Sequence, residues 1–206
     1  MKIITISPIG FGANTYILTA DNKNAVVIDP SQPRIKEALL QRGLKAAHVL
    51  LTHCHFDHVS GIAALQADGA EVVCSAEEAK LVGTEADAFD LAGIPRVEYT
   101  VDKTLKDGET VNLSGIEIKT ILTPGHTAGC ACYLVKTDDG EVLFTGDTLF
   151  AGSIGRTDLP TGSLKTLRQS LKKLAALTVD YPVYPGHEES TTLFTEKKRN
   201  PFLRGV

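Results

Sequence analysis

One short segment of the chain concentrates side chains that could bind metal ions. Residues 52–58 read Thr-His-Cys-His-Phe-Asp-His, so three imidazoles and a carboxylate lie within six positions. Divalent metals such as zinc bind imidazole nitrogen and carboxylate oxygen, and burying these groups without a metal would be costly. In an extended loop, alternation places His53, His55 and Asp57 on one side, while His58 begins the turn into a following helix. We therefore expect this one loop to serve two neighbouring metals.

Three further candidates each follow a glycine at the end of an apolar run. They are His126, Asp147 and His187, preceded by Gly125, Gly146 and Gly186. Glycine allows a tight turn and a close backbone approach at these points. Spacing alone leaves the role of these three residues open.

Hydrophobic periodicity and turn residues place the candidates in a chain of alternating strands and helices. Strands are predicted at residues 14–20, 25–29, 47–52, 71–74, 109–113, 116–122, 130–136, 141–145 and 181–184. Helices are predicted at residues 33–42, 61–67, 76–82, 86–92, 164–177 (with Ser163 as N-cap) and 190–199. The candidates then lie in loops at strand ends, where sites in such sheets are found. His48, inside a predicted strand, is expected to be an ordinary packed residue.

Two predicted hairpins resemble each other in sequence. Residues 16–29 and 133–147 share an aromatic start, an acidic turn and an aspartate at the end, Asp29 and Asp147 respectively. This similarity indicates two related halves, and two sheets packed face to face with helices outside would bury both hairpins. Because no linker or low-complexity stretch interrupts the chain, residues 1–206 are expected to form a single domain.

Composition excludes several classes of partner. The net charge of −4 gives no overall attraction to nucleic acid or anionic lipid, and the basic run at residues 197–199 is expected to be a solvated helix face. The apolar start ends at Ser7-Pro8 without the features of a signal peptide, and no stretch approaches the ~20 apolar residues of a membrane span. We expect no nucleic-acid or membrane partner and a cytoplasmic location. The four cysteines are expected to be small buried residues: Cys54, Cys74, Cys130 and Cys132.

The motifs taken together resemble the metallo-β-lactamase fold superfamily over nearly the whole chain. They are His53-x-His55-x-Asp57-His58, Pro124-Gly125-His126-Thr127, Gly146-Asp147-Thr148 and Pro185-Gly186-His187. The resemblance implies an α/β fold, a four-layer αββα sandwich of two mixed β-sheets, with the site at one edge. It also implies two divalent metal ions, expected to be zinc, with iron or manganese as alternatives. The implied ligands are His53, His55 and His126 for the first metal, Asp57, His58 and His187 for the second, and Asp147 as the bridge.

Residues 144–150 and 152–158 resemble the glyoxalase II branch, the hydroxyacylglutathione hydrolases, in a short form without the C-terminal helical domain that binds glutathione. This branch implies a small-molecule thioester substrate, whose carbonyl is attacked by a metal-bridging hydroxide. A thiolate leaves without a general acid near neutral pH, which favours a thioester. Asp57 would be catalytic, orienting the nucleophile besides binding a metal.

Other activities stay open at this point. Iron-dependent persulfide dioxygenases resemble the chain at residues 52–55 and 125–130. A lactonase or other ester hydrolase is a weaker alternative, and Asp147 argues against β-lactamase activity. A non-catalytic binding scaffold would fit the fold but not the intact ligand set.

Two more residues have two interpretations each. Asp29 either accepts a hydrogen bond from a ligating histidine or is simply a turn residue. Arg156 is expected to pair with Asp158, and contact with a substrate carboxylate is the alternative.

Overall fold

The computed structural model of the chain describes residues 1–10 and 12–204, and within them twelve strands form two six-stranded mixed sheets. The first sheet contains, in spatial order, β1 (Lys2–Ile6), β2 (Thr15–Thr19), β3 (Asn24–Ile28), β4 (Lys45–Leu50), β5 (Glu71–Ser75) and β6 (Lys103–Leu105). The second contains, in spatial order, β12 (Thr191–Thr192), β11 (Pro182–Pro185), β10 (Gly140–Gly146), β9 (Ala131–Thr137), β8 (Ile116–Leu122) and β7 (Thr110–Leu113). The helices are α1 (Ile35–Leu40), α2 (Phe56–Val59), α3 (Ile62–Ala67), α4 (Phe89–Ala92), α5 (Leu164–Ala175) and α6 (Leu193–Arg199).

Apolar side chains on both faces of the central strands create three cores. On β2, Tyr16 and Leu18 face the second sheet and pack with Tyr133 and Phe144 in the middle core. The intervening Ile17 faces the other way, into the core that α1 and α3 cover. Helices α5 and α6 close the opposite outer face. Because successive strand residues point to opposite sides, burial of both faces requires these layers, and the predicted αββα sandwich is confirmed.

Strand pairing repeats in the two halves. Strands β2 and β3 form an antiparallel hairpin, and β4 lies parallel to β3 after the crossover helix α1. Strands β9 and β10 form the corresponding hairpin, and β11 lies parallel to β10 after α5. This arrangement confirms the predicted internal repeat. It brings the loops after β3 and β4 of one sheet to the loops after β8, β10 and β11 of the other.

Two predicted helices are wrong in extent. Residues 76–82 contain only a 3₁₀ turn at Glu78–Lys80, where the Glu78 carboxylate is buried and bonded to two distant loops. Residues 86–92 are interrupted at Ala88, whose φ of +62° separates a 3₁₀ turn from α4. Tertiary hydrogen bonds and a left-handed residue therefore override local helix propensity in this region.

The sequence patterns did not predict several short elements. Strand β1 is an edge strand of five residues, none of them fully buried, and β6 and α2, with three and four residues, are too short to show a period. The last predicted helix, at residues 190–199, begins instead with the short strand β12. The start of α5 is as predicted, since the Ser163 hydroxyl accepts the Thr166 N–H.

No helix within residues 1–10 and 12–204 has the length and apolarity to cross a bilayer, the longest being the 12-residue α5. The four cysteines are buried and free, as expected.

Candidate metal centre

The histidine-rich loop follows β4 and changes conformation halfway along. His55 has extended backbone angles, and the His58 N–H then donates to the His55 carbonyl at 2.9 Å as α2 begins. Asp57 therefore comes from a helical turn and not from the extended loop that the sequence suggested. His53 and His55 precede this turn, and the His53 and His58 rings lie 4.0 Å apart between centroids. The turn folds the second half of the loop back over the first.

All seven predicted ligand residues converge on one edge of the sandwich. Three groups of side chains each offer ligand atoms that lie within 4.8 Å of one another. The groups are His53, His55 and His126; His53, His58 and Asp147; and Asp57, His58 and His187. The first and third groups coincide with the two ligand sets that the family resemblance implied. Both sheets contribute, so the cluster exists only because the two halves pack together.

Asp147 lies between these two groups. Its Oδ1 is 3.3 Å from Nε2 of His58, and its Oδ2 is 3.5 Å from Nε2 of both His126 and His187. One carboxylate thus reaches members of both groups, which is the position of a bridging ligand. The approach depends on Gly186, because a Cβ there would lie 2.3 Å from Asp147 Oδ1.

Several buried atoms in the cluster lack a hydrogen-bond partner among the described residues. They are Nε2 of His53, His55, His58 and His126, and Oδ1 of Asp147. Leaving one such atom unpaired costs about 1–3 kcal/mol, so leaving five unpaired would be severely destabilising. Divalent cations would satisfy these lone pairs with nitrogen and oxygen ligands of the usual kind. The residues present therefore fit a two-metal site.

The pKa shifts in the cluster favour the metal-binding form of some ligands and the protonated form of others. Burial lowers the pKa of His53 well below its usual value, and burial together with His126 lowers the pKa of His55 to about 3. Burial would raise the pKa of Asp147 and Asp57, but the neighbouring His58 lowers the pKa of both. Burial would lower the pKa of His58 and His187, but the carboxylates of Asp147 and Asp57 raise the pKa of both. Neutral imidazoles and ionised carboxylates are the forms that bind metal, so a metal at these two rings would displace protons.

Asp29 holds two of these imidazoles from behind. Its Oδ2 accepts from His58 Nδ1 at 2.9 Å and from the Thr52 hydroxyl at 2.6 Å, and its Oδ1 accepts the Thr52 N–H. Because the Thr52 hydroxyl donates to Asp29, it must accept from His53 Nδ1, 3.1 Å away. Both histidines therefore present Nε2 to the cluster, and of the two interpretations of Asp29 the structure gives the orienting one.

Glu78 is a site residue that the sequence patterns missed. It is fully buried, and its two oxygens accept the Cys54 N–H at 2.8 Å and the Thr127 hydroxyl at 2.6 Å. Cys54 lies between His53 and His55, and Thr127 follows His126. One carboxylate thus fastens together the backbones that carry all three histidines of the first group. Only the fold brings residue 78 to these loops, so no local signal could have identified it.

Asn14 supports the His187 loop and was also missed. Its side-chain amide donates to the carbonyls of Pro185 and Glu188 on either side of His187, at 3.1 and 2.9 Å. Tyr16 donates its hydroxyl to the same Pro185 carbonyl at 2.6 Å. The loop that carries His187, which follows β11 of the second sheet, is therefore held by side chains at the start of β2 in the first sheet.

A cavity of about 430 Å³ opens onto the cluster, with Phe150, Ile154 and Leu159 in its wall. Arg156 also lines it, and its guanidinium pairs with Asp158 at 2.7 and 2.8 Å, the local partner predicted for it. The Arg156 carbonyl accepts from His126 Nδ1 at 2.7 Å, a role that its side chain does not reveal.

An αββα sandwich with this His/Asp cluster at one edge is the architecture of a metal-binding hydrolase. The family model described as Metallo-beta-lactamase superfamily matches residues 8–187, and the chain belongs to that superfamily. The chain is 35% identical over 210 residues to hydroxyacylglutathione hydrolase GloC of Haemophilus influenzae, with 98% of each protein covered.

Two solved structures are similar over almost their whole length. That of TTHA1623 in a di-iron-bound form has a TM-score of 0.81 and 35% identity, covering 98% of this chain and 100% of its own. That of BLEG-1 B3 metallo-beta-lactamase has a TM-score of 0.88 and 31% identity, covering 99% and 100%.

Replacing Asp29 by Asn should weaken metal binding about 10–100-fold. An amide nitrogen at the Oδ2 position cannot accept from His58 and Thr52, while asparagine still tolerates the positive φ of 49° at residue 29. Isothermal titration with zinc would measure the change. The control is Asp139→Asn, an exposed aspartate in the turn between β9 and β10 and outside the cluster, and equal affinities for the two variants would contradict the orienting role.

Replacing Glu78 by Ala should lower the free energy of unfolding by roughly 2–5 kcal/mol, because two buried donors lose their acceptor. Glu78→Gln, which keeps one acceptor oxygen, should fold but bind zinc more weakly than the parent chain. Urea unfolding and zinc titration measure the two effects. The adjacent exposed Glu77→Gln is the matched control, and wild-type behaviour of both Glu78 variants would refute the fastening role.

Proposed function

We propose that this protein is a two-metal hydrolase that cleaves small-molecule thioesters, with the chemistry of the glyoxalase II branch. The observation that carries the proposal is the position of Asp147, whose oxygens reach members of both outer ligand groups. The similarity to hydroxyacylglutathione hydrolase GloC supports the thioester as substrate class.

The proposed ligand assignment follows the clusters. His53, His55 and His126 would hold one divalent metal, Asp57, His58 and His187 would hold the other, and Asp147, between the two groups, would serve both. Zinc is the proposed metal, with iron or manganese as alternatives, and the di-iron-bound form of the similar TTHA1623 supports iron. When bound, such a pair of cations would supply a water that ionises near neutral pH, and the cations would also polarise the substrate carbonyl.

Asp57 is proposed as the catalytic residue of the chain itself. Its Oδ2 is 3.2 Å from His187 Nε2, its side chain lines the cavity, and the lowered pKa keeps its carboxylate ionised at neutral pH. A carboxylate in this position accepts a hydrogen bond from the attacking water and directs a lone pair of the water at the carbonyl carbon. The carbon–sulfur bond breaks, and the sulfur leaves as thiolate without needing a proton.

The cavity walls suit an acyl group. Phe150, Ile154 and Leu159 provide apolar surface on the open side of the cluster. They exclude bulk water around the acyl chain and strengthen electrostatic contacts at the carbonyl. A small acyl thioester therefore finds an apolar wall and a polar reaction centre in one pocket.

Two attributes of the protein are proposed together with this function. The chain is a single domain over residues 1–206, and its compartment is the cytoplasm. Four buried cysteines that form no disulfide support a reducing compartment.

Asp57→Asn should lower kcat for S-lactoylglutathione and simple thioesters by about 100-fold or more, because the amide accepts the water's hydrogen bond poorly. Part of the metal should be retained, since six other ligand residues are unchanged. Steady-state kinetics with elemental analysis of the same sample separates lost chemistry from lost metal. Asp139→Asn is the control, and a fully active Asp57→Asn enzyme would sink the assignment.

An iron-dependent persulfide dioxygenase is the second candidate, because the cluster contains the histidines and aspartate that a single iron needs and a similar structure binds iron. The metal-loaded protein should hydrolyse thioesters. When glutathione persulfide is the substrate, it should consume no oxygen. It should also leave lactone and β-lactam substrates largely intact. Oxygen uptake with iron as the bound metal would reverse the ranking of the two candidates.

A further inference from the structure

A second cavity, of about 450 Å³, lies between α5 and the C-terminal segment. Four cationic side chains line it, three from α5 and one from the C-terminal segment, and apolar Ile154 and Phe202 line it as well. We call this the basic cavity, and its cations are Lys165, Arg168, Lys172 and Arg204. Every charged residue in the lining is positive, although the chain as a whole has a net charge of −4.

The positive charges have no partners within the part of the chain that the structure describes. None of the four side chains makes a hydrogen bond or ion pair there, whereas Lys173 on the same helix pairs with Asp107 at 2.6 Å. Helix α5 contains no acidic residue. Among residues 1–10 and 12–204, the basic cavity is therefore a concentration of positive charge without an acidic partner, which raises the local concentration of anions.

This charge distribution works against the helix that carries it. Arg168 and Lys172 are four residues apart on one face, a spacing at which like charges destabilise a helix. Lys165 lies in the first turn, where the helix dipole favours an acidic side chain. The dipole favours a cation at Lys172, in the last turn, but it does not favour Lys165, and the Arg168–Lys172 pair stays repulsive. An anion bound among these side chains would relieve that repulsion.

The basic cavity adjoins the metal centre. Ile154 lines both the basic cavity and the cavity that opens onto His55, Asp57 and Asp147. Ile154 is thus a wall common to both cavities, and a ligand with its reactive carbonyl at the cluster would have to pass it to place its remote end among the cations.

We propose that the basic cavity binds phosphate groups on the leaving thiol of the substrate, so that the enzyme acts on acyl thioesters of a phosphorylated thiol carrier. The proposal rests on the proposed thioesterase function and names its substrate class. Lysine and arginine are the usual phosphate ligands, and four of them suit a multiply charged anion. A peptide thiol such as glutathione also carries an ammonium group, which would find no acidic side chain in this lining.

The test compares thioesters that differ only in their phosphates. For the zinc-loaded protein, acetyl coenzyme A should have a KM about tenfold or more below that of acetyl pantetheine, with similar kcat. Arg168→Gln/Lys172→Gln should abolish this difference by raising the KM of acetyl coenzyme A alone, and its thermal stability should be equal or slightly higher. Lys198→Gln/Arg199→Gln removes two charges from α6, outside the basic cavity, and should behave as wild type.

The proposal is wrong if the α5 double variant changes the KM of both acetyl thioesters alike or of neither. It is also wrong in its phosphate assignment if the charge-dependent KM is found with S-lactoylglutathione and not with acetyl coenzyme A.

A binding measurement separates this proposal from the hydrolase proposal. If the zinc-loaded protein hydrolyses none of these thioesters, the hydrolase proposal fails, and isothermal titration still tests the basic cavity. Coenzyme A and pantetheine share the same thiol, so contact of sulfur with metal cancels between them. Tighter binding of coenzyme A to the wild type but not to the α5 double variant supports the phosphate site, and equal binding of both thiols overturns it.

Discussion

A histidine ring buried at a sheet edge is stable only when both of its nitrogens have partners, and the fold around the cluster provides the outer partner for three of these rings. On the outer side, His58 and His126 donate from Nδ1 to Asp29 and to the Arg156 carbonyl, and His53 donates to the Thr52 hydroxyl. Each ring is thereby held with Nε2 directed into a common volume. The inner side is left to ligands that the side chains themselves do not provide.

The sequence was sufficient for the architecture and for the four cluster residues of the 52–58 segment, whereas His126, Asp147 and His187 were predicted as ligands only from the resemblance to a known family. Strand periodicity, glycine-preceded loops and the dense 52–58 segment are local signals, and local signals survive in a linear sequence. The supporting residues have no such signal. Glu78 and Asn14 look like ordinary surface or turn residues until the fold places them against Cys54 and Pro185, and the carbonyl of Arg156 acts independently of its side chain.

The two halves of the repeat use the same aspartate differently. Asp29 and Asp147 both follow the second strand of a hairpin, β3 and β10 respectively. Asp29 is fully hydrogen-bonded and holds imidazoles from outside, whereas Asp147 keeps Oδ1 unpaired and faces them from inside. The similarity of the hairpins therefore predicts where each carboxylate lies but not what it does. That difference arises from the neighbouring loops, Thr52 on one side and Gly186 on the other.

The cluster draws its members from both sheets, and this has a consequence beyond chemistry. Cations bound there would cross-link the two halves much as a covalent bridge does, but reversibly. A ligand that binds only the folded state adds stability in proportion to the logarithm of its concentration, about 4 kcal/mol at a thousandfold excess over its dissociation constant. The fraction of folded protein would then depend on the metal concentration around it. Scarcity of metal would therefore shorten the protein's lifetime as well as inactivate its site.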